Sequence, residues 1–203
     1  MSKDKSLVIT RSSTTYEGEH NAETIKIIVP KLINNNEIDK CLVWLNFINS
    51  DNLGRAIDIT EFLKDYSEDD DTIIIHDGIR PLVDELVLSD VIVKCKEYGN
   101  GVTSLPYNEQ IFIKKTEETT QQYVDRNTLR RVSTPQAYQY GKLLSAYNRA
   151  VKENIGMTDS SYTNTMMVDL GETLYFAAGS DKNIKLTTTD DLELFKAYLK
   201  MKD

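Results

Sequence analysis

Residues 72–85 read TIIIHDGIRPLVDE, and this stretch decides the fold class of the chain. Three isoleucines form an unbroken apolar run, which is typical of a strand covered on both faces in a parallel sheet. A histidine and a carboxylate, His76 and Asp77, follow at once, and a guanidinium follows at Arg80. Ligands of open α/β sheets bind outside the carboxyl ends of the strands. The stretch therefore predicts a parallel sheet with a polar site at Asp77.

Apolar strands and amphipathic helices alternate around this stretch as far as residue 106. Besides residues 72–76, strands are predicted at 6–10, 41–47 and 101–106, and helices at 22–36, 54–66 and 84–99. Such an alternation is the signature of an α/β sheet with right-handed crossovers. We expect one α/β domain over residues 1–203, with a mostly parallel twisted sheet and flanking helices.

The alternation ends after residue 106. The segments IFIKK and QQYV predict two strands around a polar turn, so we expect a protruding β-arm over about residues 107–135. Beyond the arm we predict a helix over 140–151, short strands over 173–179 and 183–188, and a last helix capped by Thr188 with Asp191.

The composition argues against two classes of partner. Asp and Glu outnumber Lys and Arg by 32 to 24, and the net charge of -8 disfavours binding to a nucleic-acid backbone. No apolar run reaches the roughly 20 residues of a membrane span, and the N-terminal sequence has no signal-peptide core. The two cysteines have no paired spacing and are expected to be reduced. We expect a cytoplasmic protein that binds neither nucleic acid nor a membrane.

Asp77 and Arg80 carry the chemistry of the opening stretch. A carboxylate at a strand end can hold Mg²⁺ together with phosphate oxygens and water, and an arginine can meet a phosphate in bidentate fashion. The alternative is that Asp77 and Arg80 pair with each other or cap the next helix. Only two histidines occur, His20 and His76, which disfavours a His-based metal site or a Ser-His-Asp triad. His76 is interpreted as a structural residue.

The stretch IIIHDGIRPLV resembles the His-Asp-Ala-x-Arg-Pro block of the cytidylyltransferases that make CDP-polyols. These are the 2-C-methyl-D-erythritol 4-phosphate and D-ribitol 5-phosphate cytidylyltransferases. Four further blocks resemble the family's in the same order: NLGRAID, VDRNTLRRVSTPQAY, TDSS and NIKLTTTDDL. The resemblance covers roughly residues 22–198 and implies a Rossmann-like nucleotidyltransferase domain.

The resemblance also implies the reaction. A polyol phosphate oxygen would attack the α-phosphorus of CTP, giving a CDP-polyol and pyrophosphate. Asp77 would hold Mg²⁺, and Arg80 and Lys185 would be the catalytic cations around the reacting phosphates. Such chemistry needs positioning and charge neutralisation more than acid–base catalysis.

The remaining roles are also implied by the family. Arg126 and Thr134, on the β-arm, would bind the polyol phosphate in the site of the partner subunit, which makes a homodimer. Gln110 stands where the family often has Thr, so it joins the expected substrate contacts, while Arg55 and Asp58 would lie near the nucleotide. The plain alternatives are a solvated strand residue for Lys185, a strand–turn residue for Thr134, and surface arginines for Arg126 and Arg55.

The chain departs from the family after its first strand. The family has a glycine-rich loop there that cradles the CTP phosphates, whereas residues 11–21 read RSSTTYEGEHN and contain one glycine. Arg11 follows the strand directly and is our candidate cation for a rebuilt phosphate loop. A closed turn that binds nothing is the alternative interpretation.

Three functional hypotheses follow. The first is a cytidylyltransferase that uses CTP and a small polyol phosphate, with ribitol 5-phosphate favoured over 2-C-methyl-D-erythritol 4-phosphate. The second is a catalytically degenerate member that acts as a polyol-phosphate-binding or assembly module. The third is a transferase for another nucleotide, because the loop that reads the base is the part that differs.

Overall fold

The computed structural model of the protein describes residues 6–11, 41–46, 67–156 and 163–201. The helices predicted over 22–36 and 54–66 lie outside the described residues, as do Arg55 and Asp58. The elements follow in chain order: β1 Ser6–Arg11, β2 Cys41–Asn46, β3 Thr72–Asp77, α1 Glu85–Tyr98, β4 Asn100–Pro106, β5 Ile111–Lys114, β6 Thr120–Val124, a 3₁₀ turn Arg126–Thr128, β7 Arg130–Gln139, α2 Tyr140–Glu153, α3 Thr163–Asp169, β8 Phe176–Ala178 and α4 Thr189–Lys200.

Six of these strands form a sheet in the order β1-β2-β3-β7-β4-β8. The pairs β1–β2, β2–β3 and β4–β8 are parallel, whereas β7 runs antiparallel to both of its neighbours. Five strands therefore point the same way and one is reversed. The predicted α/β fold with a mostly parallel sheet is confirmed.

The isoleucines of β3 are buried on both faces of the sheet. Ile73 and Ile75 join a core with Tyr138 and with α2 residues such as Leu143. Ile74, which alternation places on the opposite face, is equally buried. This two-sided burial is the reason that the sequence of β3 is a continuous apolar run rather than an alternating one.

Helix α1 forms as its sequence predicts. The Asp84 side chain caps the first turn by accepting a hydrogen bond from the Val87 N–H, and Gly99 ends the helix in the left-handed conformation. One face buries five residues against the sheet: Val87, Leu88, Val91, Ile92 and Cys95. Helix α4 also begins as predicted, with reciprocal hydrogen bonds between Thr188 and Asp191.

The predicted end of the β-arm was wrong. Within the predicted arm, residues 107–129 lie outside the central sheet, and their strands β5 and β6 form an antiparallel pair. Residues 130–139 form β7, a strand of the main sheet. Pro135 is accommodated in β7 because it lies where the β4–β7 register shifts, so its missing N–H costs no regular ladder bond.

Two smaller predictions also differ from the structure. No strand forms over residues 183–188, which are held by individual hydrogen bonds instead. The strand expected over 173–179 covers only Phe176–Ala178, and helix α3 was not predicted. No helix in the described parts of the chain has the length and apolarity needed to cross a membrane.

Burial in α1 makes a stability prediction with a control on the same helix. Leu88 is 1% exposed and Leu86 is 70% exposed. We expect Leu88→Ala to lower the free energy of unfolding by about 2–5 kcal/mol, because it leaves a cavity between α1 and the sheet. Leu86→Ala should change that free energy by no more than about 0.5 kcal/mol. Urea denaturation followed by circular dichroism measures both, and equal losses would contradict the packing described.

Candidate functional site

The chain turns sharply at the carboxyl end of β3. The Arg80 N–H donates to the Asp77 carbonyl at 3.0 Å, which closes the turn. The Arg80 side chain then donates from Nε to Asp77 Oδ2 at 3.0 Å and from Nη1 to the carbonyl of Asn183 at 2.8 Å. The ion pair expected as the alternative for these two residues is therefore present. It also fixes the direction in which the guanidinium points.

Thr134 holds this turn from the neighbouring strand. Its hydroxyl oxygen accepts a hydrogen bond from the Asp77 N–H at 2.9 Å and lies 3.3 Å from His76 Nδ1. His76 Nε2 lies 3.0 Å from the carbonyl of Arg80. A carbonyl can only accept, so Nε2 carries the proton and Nδ1 accepts from the Thr134 hydroxyl. The network thus ties β7 to both ends of the turn.

His76 is a structural residue of this network, as the sequence interpretation held. The ring is buried, and burial lowers its pKa from the ordinary value of 6.5 to about 4. The imidazole is therefore neutral at physiological pH, which is the form the two hydrogen bonds require.

The predicted place of Thr134 was wrong. It does not lie on the β-arm but on β7, buried beside Asp77 of its own chain. Sequence alone could not assign it, because the residues around it carry no regular pattern at the register shift.

A small open pocket of about 170 Å³ lies beside the turn. Four predicted residues line it: Asp77, Arg80, Thr134 and Lys185. The two cations outnumber the single carboxylate, so the pocket is a local positive site on an acidic chain. An anion with about the size of a phosphate suits this charge and volume.

Four polar residues of the pocket were missed from the sequence: Ser133, Gln136, Thr163 and Asn164. Gln136 belonged to a quoted motif, Thr-Pro-Gln, and could have been found there. Thr163 and Asn164 begin the short helix α3, for which the sequence offers no comparable signal.

The other predicted site residues lie elsewhere. Gln110 and Arg126 are exposed on the arm and do not line this pocket, and Arg126 Nη1 donates to the carbonyl of Asn108 at the base of the arm. Arg11 ends β1 in register with Asn46 and, through it, with Asp77. Two strand spacings separate the Arg11 backbone from Asp77, or roughly 10 Å.

The acidic ligands in this region are few. The described residues contain no group of three His, Cys, Asp or Glu side chains that could enclose a metal ion. Asp77 Oδ2 is shared with Arg80, and no described residue donates a hydrogen bond to its second oxygen. One carboxylate of this kind fits Mg²⁺, which keeps several waters and takes phosphate oxygens as further ligands.

The buried His76 makes stability depend on pH. Because its folded pKa lies below 6.5, its contribution is complete above pH 6.5 and is lost as pH falls toward 4. We expect His76→Gln to remove up to about 3 kcal/mol of the pH-dependent loss between pH 7 and pH 4. Urea denaturation in EDTA at several pH values measures it. Parallel stability curves for the two proteins would contradict a neutral buried imidazole.

Comparisons with known proteins identify the family of the chain. The profile of the 2-C-methyl-D-erythritol 4-phosphate cytidylyltransferase (IspD) family matches residues 10–201. A ribitol-5-phosphate cytidylyltransferase of Lacticaseibacillus paracasei is 76% identical over 143 residues, which are 70% of this chain and 61% of that protein. A 2-C-methyl-D-erythritol 4-phosphate cytidylyltransferase of Clostridioides difficile is 32% identical over 147 residues, which are 72% and 60% of the two chains.

The solved structures extend the likeness to the fold. The 2-C-methyl-D-erythritol 4-phosphate cytidylyltransferase of Francisella tularensis superposes with a TM-score of 0.64 at 24% identity, covering 95% of this chain and 98% of that one. At this identity the likeness concerns the fold alone. The aligned part of the chain spans about three fifths of the length of its curated relatives. With a family profile that matches nearly its whole length, the chain belongs to the IspD family of cytidylyltransferases.

Proposed function

We propose that this chain transfers CMP from CTP to a polyol phosphate, with ribitol 5-phosphate as the favoured acceptor. The observation that carries the proposal is the 76% identity to a protein named ribitol-5-phosphate cytidylyltransferase. Identity falls to 32% for a relative named for 2-C-methyl-D-erythritol 4-phosphate. The preference for ribitol 5-phosphate rests on this difference.

The pocket supports the acceptor half of the reaction. Its volume of about 170 Å³ is below the roughly 300 Å³ at which drug-sized ligand pockets begin, so it suits a phosphate and part of a polyol rather than a whole nucleotide. Arg80 and Lys185 line it and would neutralise the reacting phosphates as the catalytic cations. A fixed guanidinium, already oriented by Asp77 and Asn183, needs little reorganisation when substrate binds.

The proposed reaction needs no general base. An ionised oxygen of the polyol phosphate forms a bond to the α-phosphorus of CTP. The bond between the α-phosphorus and the oxygen that bridges to the β-phosphorus breaks, and pyrophosphate leaves with that oxygen. The protein's task is to align the two phosphates and to offset their mutual repulsion. A buried neutral histidine beside the site is compatible with such chemistry, because no proton has to move.

Mg²⁺ is proposed as the metal, with Asp77 as its protein ligand. When bound, the ion would neutralise phosphate charge between nucleotide and enzyme. Asp77 is suited to this role because the Thr134 hydroxyl and Arg80 hold its backbone and its Oδ2 in place.

The β-arm, now taken as residues 107–129, is proposed to form a homodimer. Among the described strands, those of the arm pair only with each other, and Phe112 and Tyr123 are opposite one another in the ladder. Both side chains therefore lie on one face, where they are 56% and 70% exposed. Two large exposed apolar rings on a protruding hairpin suit burial against a second copy of the chain. In the dimer, Arg126 would reach the site of the partner subunit.

The other two hypotheses remain distinguishable by experiment. The comparisons give no support to the hypothesis of a degenerate polyol-phosphate-binding module, because the relatives they name are cytidylyltransferases. A different nucleotide would have to be recognised by residues near Arg11, Arg55 and Asp58, whose side chains lie outside the described structure. Both hypotheses predict no pyrophosphate from CTP.

The test is release of pyrophosphate by the purified protein with CTP and Mg²⁺. We expect release with ribitol 5-phosphate, less with 2-C-methyl-D-erythritol 4-phosphate, and none without acceptor. Lys185→Ala should slow turnover by about 10²–10³-fold, because it removes a cation that stabilises charge at the reacting phosphate. Lys182→Ala is the matched control, since Lys182 is exposed on the same segment and does not line the pocket.

Three results would overturn parts of this assignment. Release at the level of the acceptor-free control with every polyol phosphate would exclude the transferase. Release with ATP, GTP or UTP but not CTP would support another nucleotide. Equal activity of the Lys185→Ala and Lys182→Ala variants would remove Lys185 from the reaction.

The arm proposal has its own measurement. Light scattering should report a dimer for the unchanged chain and a monomer for the double variant Phe112→Ser with Tyr123→Ser, because the exposed rings supply the buried contact. Leu86→Ser, equally exposed on α1, should stay dimeric. A dimer that survives the double variant would contradict the arm interface.

The role of Arg126 can be separated from dimer formation. Arg126→Ala should leave the dimer intact and weaken binding of ribitol 5-phosphate in calorimetry. Unchanged binding by that dimer would exclude the proposed contact across subunits.

A further inference from the structure

Lys185 lies on a segment that has no regular secondary structure, so its position depends on individual hydrogen bonds. One anchor precedes it, where the Asn183 carbonyl accepts from Arg80 Nη1 at 2.8 Å. Another follows it, where the Leu186 N–H donates to the Ile79 carbonyl at 2.9 Å. Both anchors are made to the turn at the end of β3. Lys185 is therefore held between two points on the turn that carries Arg80.

The Asn183 side chain supplies a third anchor, to a different strand. Its Nδ2 donates to the Thr134 carbonyl at 2.7 Å. Thr134 lies where the β7 register shifts, outside the paired residues of the ladder, so this carbonyl has no strand partner in the register. An apolar side chain at position 183 would leave the carbonyl without that hydrogen bond, which is unfavourable for a buried acceptor. Asn183 thus connects the turn, the lysine segment and β7.

A second buried asparagine shows what a purely structural amide looks like in this protein. Asn100 is 5% exposed, and both ends of its amide are satisfied, by the Thr173 carbonyl and the Tyr175 N–H. Asn183 is 4% exposed, but its Oδ1 is buried and accepts no hydrogen bond from any described residue. An unsatisfied buried oxygen calls for a reason other than stability. The reason we identify is the placement of the two cations.

We propose that Asn183 is a positioning residue for phosphate binding and transfer, which sets the places of Arg80 and Lys185 relative to Thr134. It acts through its carbonyl on the guanidinium and through its side chain on the segment that carries the lysine. This inference rests on the proposed function for its kinetic readout, but its binding readout does not require turnover. A shift of about 1 Å in either cation is enough to cost around 10²-fold in rate.

The test compares Asn183→Ala with Asn100→Ala. Both variants remove a buried amide that joins two chain segments, so both should lower the melting temperature. Only Asn183→Ala should reduce kcat/KM for ribitol 5-phosphate, by about 10–100-fold, and weaken its binding in calorimetry. Asn100→Ala should leave kcat, KM and the dissociation constant unchanged. Asn183→Ser, which keeps a hydroxyl donor, should recover part of the loss.

The outcomes separate this inference from the proposed function. Turnover by the unchanged protein, with equal kinetics in Asn183→Ala and Asn100→Ala, would overturn the inference and keep the function. No turnover, with ribitol 5-phosphate binding lost only in Asn183→Ala, would overturn the function and keep the inference. Absence of both turnover and binding would overturn both. If neither Asn183 variant folds while Asn100→Ala does, Asn183 is a structural residue and the inference is wrong.

Discussion

The hydrogen bond from the Asp77 N–H to the Thr134 hydroxyl is the contact on which the rest of the site depends. It joins the last residue of β3 to the neighbouring antiparallel strand at 2.9 Å. The same hydroxyl donates to His76 Nδ1, and His76 Nε2 donates to the carbonyl of Arg80. In this series of hydrogen bonds, the direction of one bond decides whether the next group donates or accepts. The directions of all of them are therefore determined together. The turn is therefore held rigid before any ligand arrives.

Rigidity matters here because the ligand the pocket suits is a multiply charged anion. A guanidinium that is already paired with Asp77 and Asn183 cannot swing toward solvent, so it presents its remaining donors in a constant direction. Two cations in one small pocket would repel each other in isolation. The carboxylate of Asp77, which lies at the end of β3 and lines the pocket, offsets this repulsion. Local charge, rather than the net charge of -8, governs what the pocket attracts.

The sequence predicted elements well where local pattern and tertiary environment agree. The apolar run of β3, the extent of α1 and the Thr188–Asp191 capping box were all predicted, because each depends on residues near one another in the chain. Strand β7 was misread as part of the arm, since Pro135 and the register shift remove its periodicity. Residues 183–188 were misread as a strand for the opposite reason. Their composition suits a strand, but their hydrogen bonds go to a turn and to β7.

The sequence by itself determined the α/β class, the strand end at Asp77, the family resemblance and four of the residues that line the pocket. The fold class, the strand end, Asp77 and Arg80 follow from local pattern and side-chain chemistry, whereas Thr134 and Lys185 were implied by the family resemblance. Only the tertiary structure decided that Thr134 belongs to the site of its own chain, that β7 lies between β3 and β4, and that Asn183 connects Arg80, Thr134 and the segment of Lys185. The hydrogen bonds of Thr134 and Asn183 join residues 49 to 103 positions apart, and β7 pairs with β3 and β4 over 24 to 67 positions. No local pattern encodes such distances.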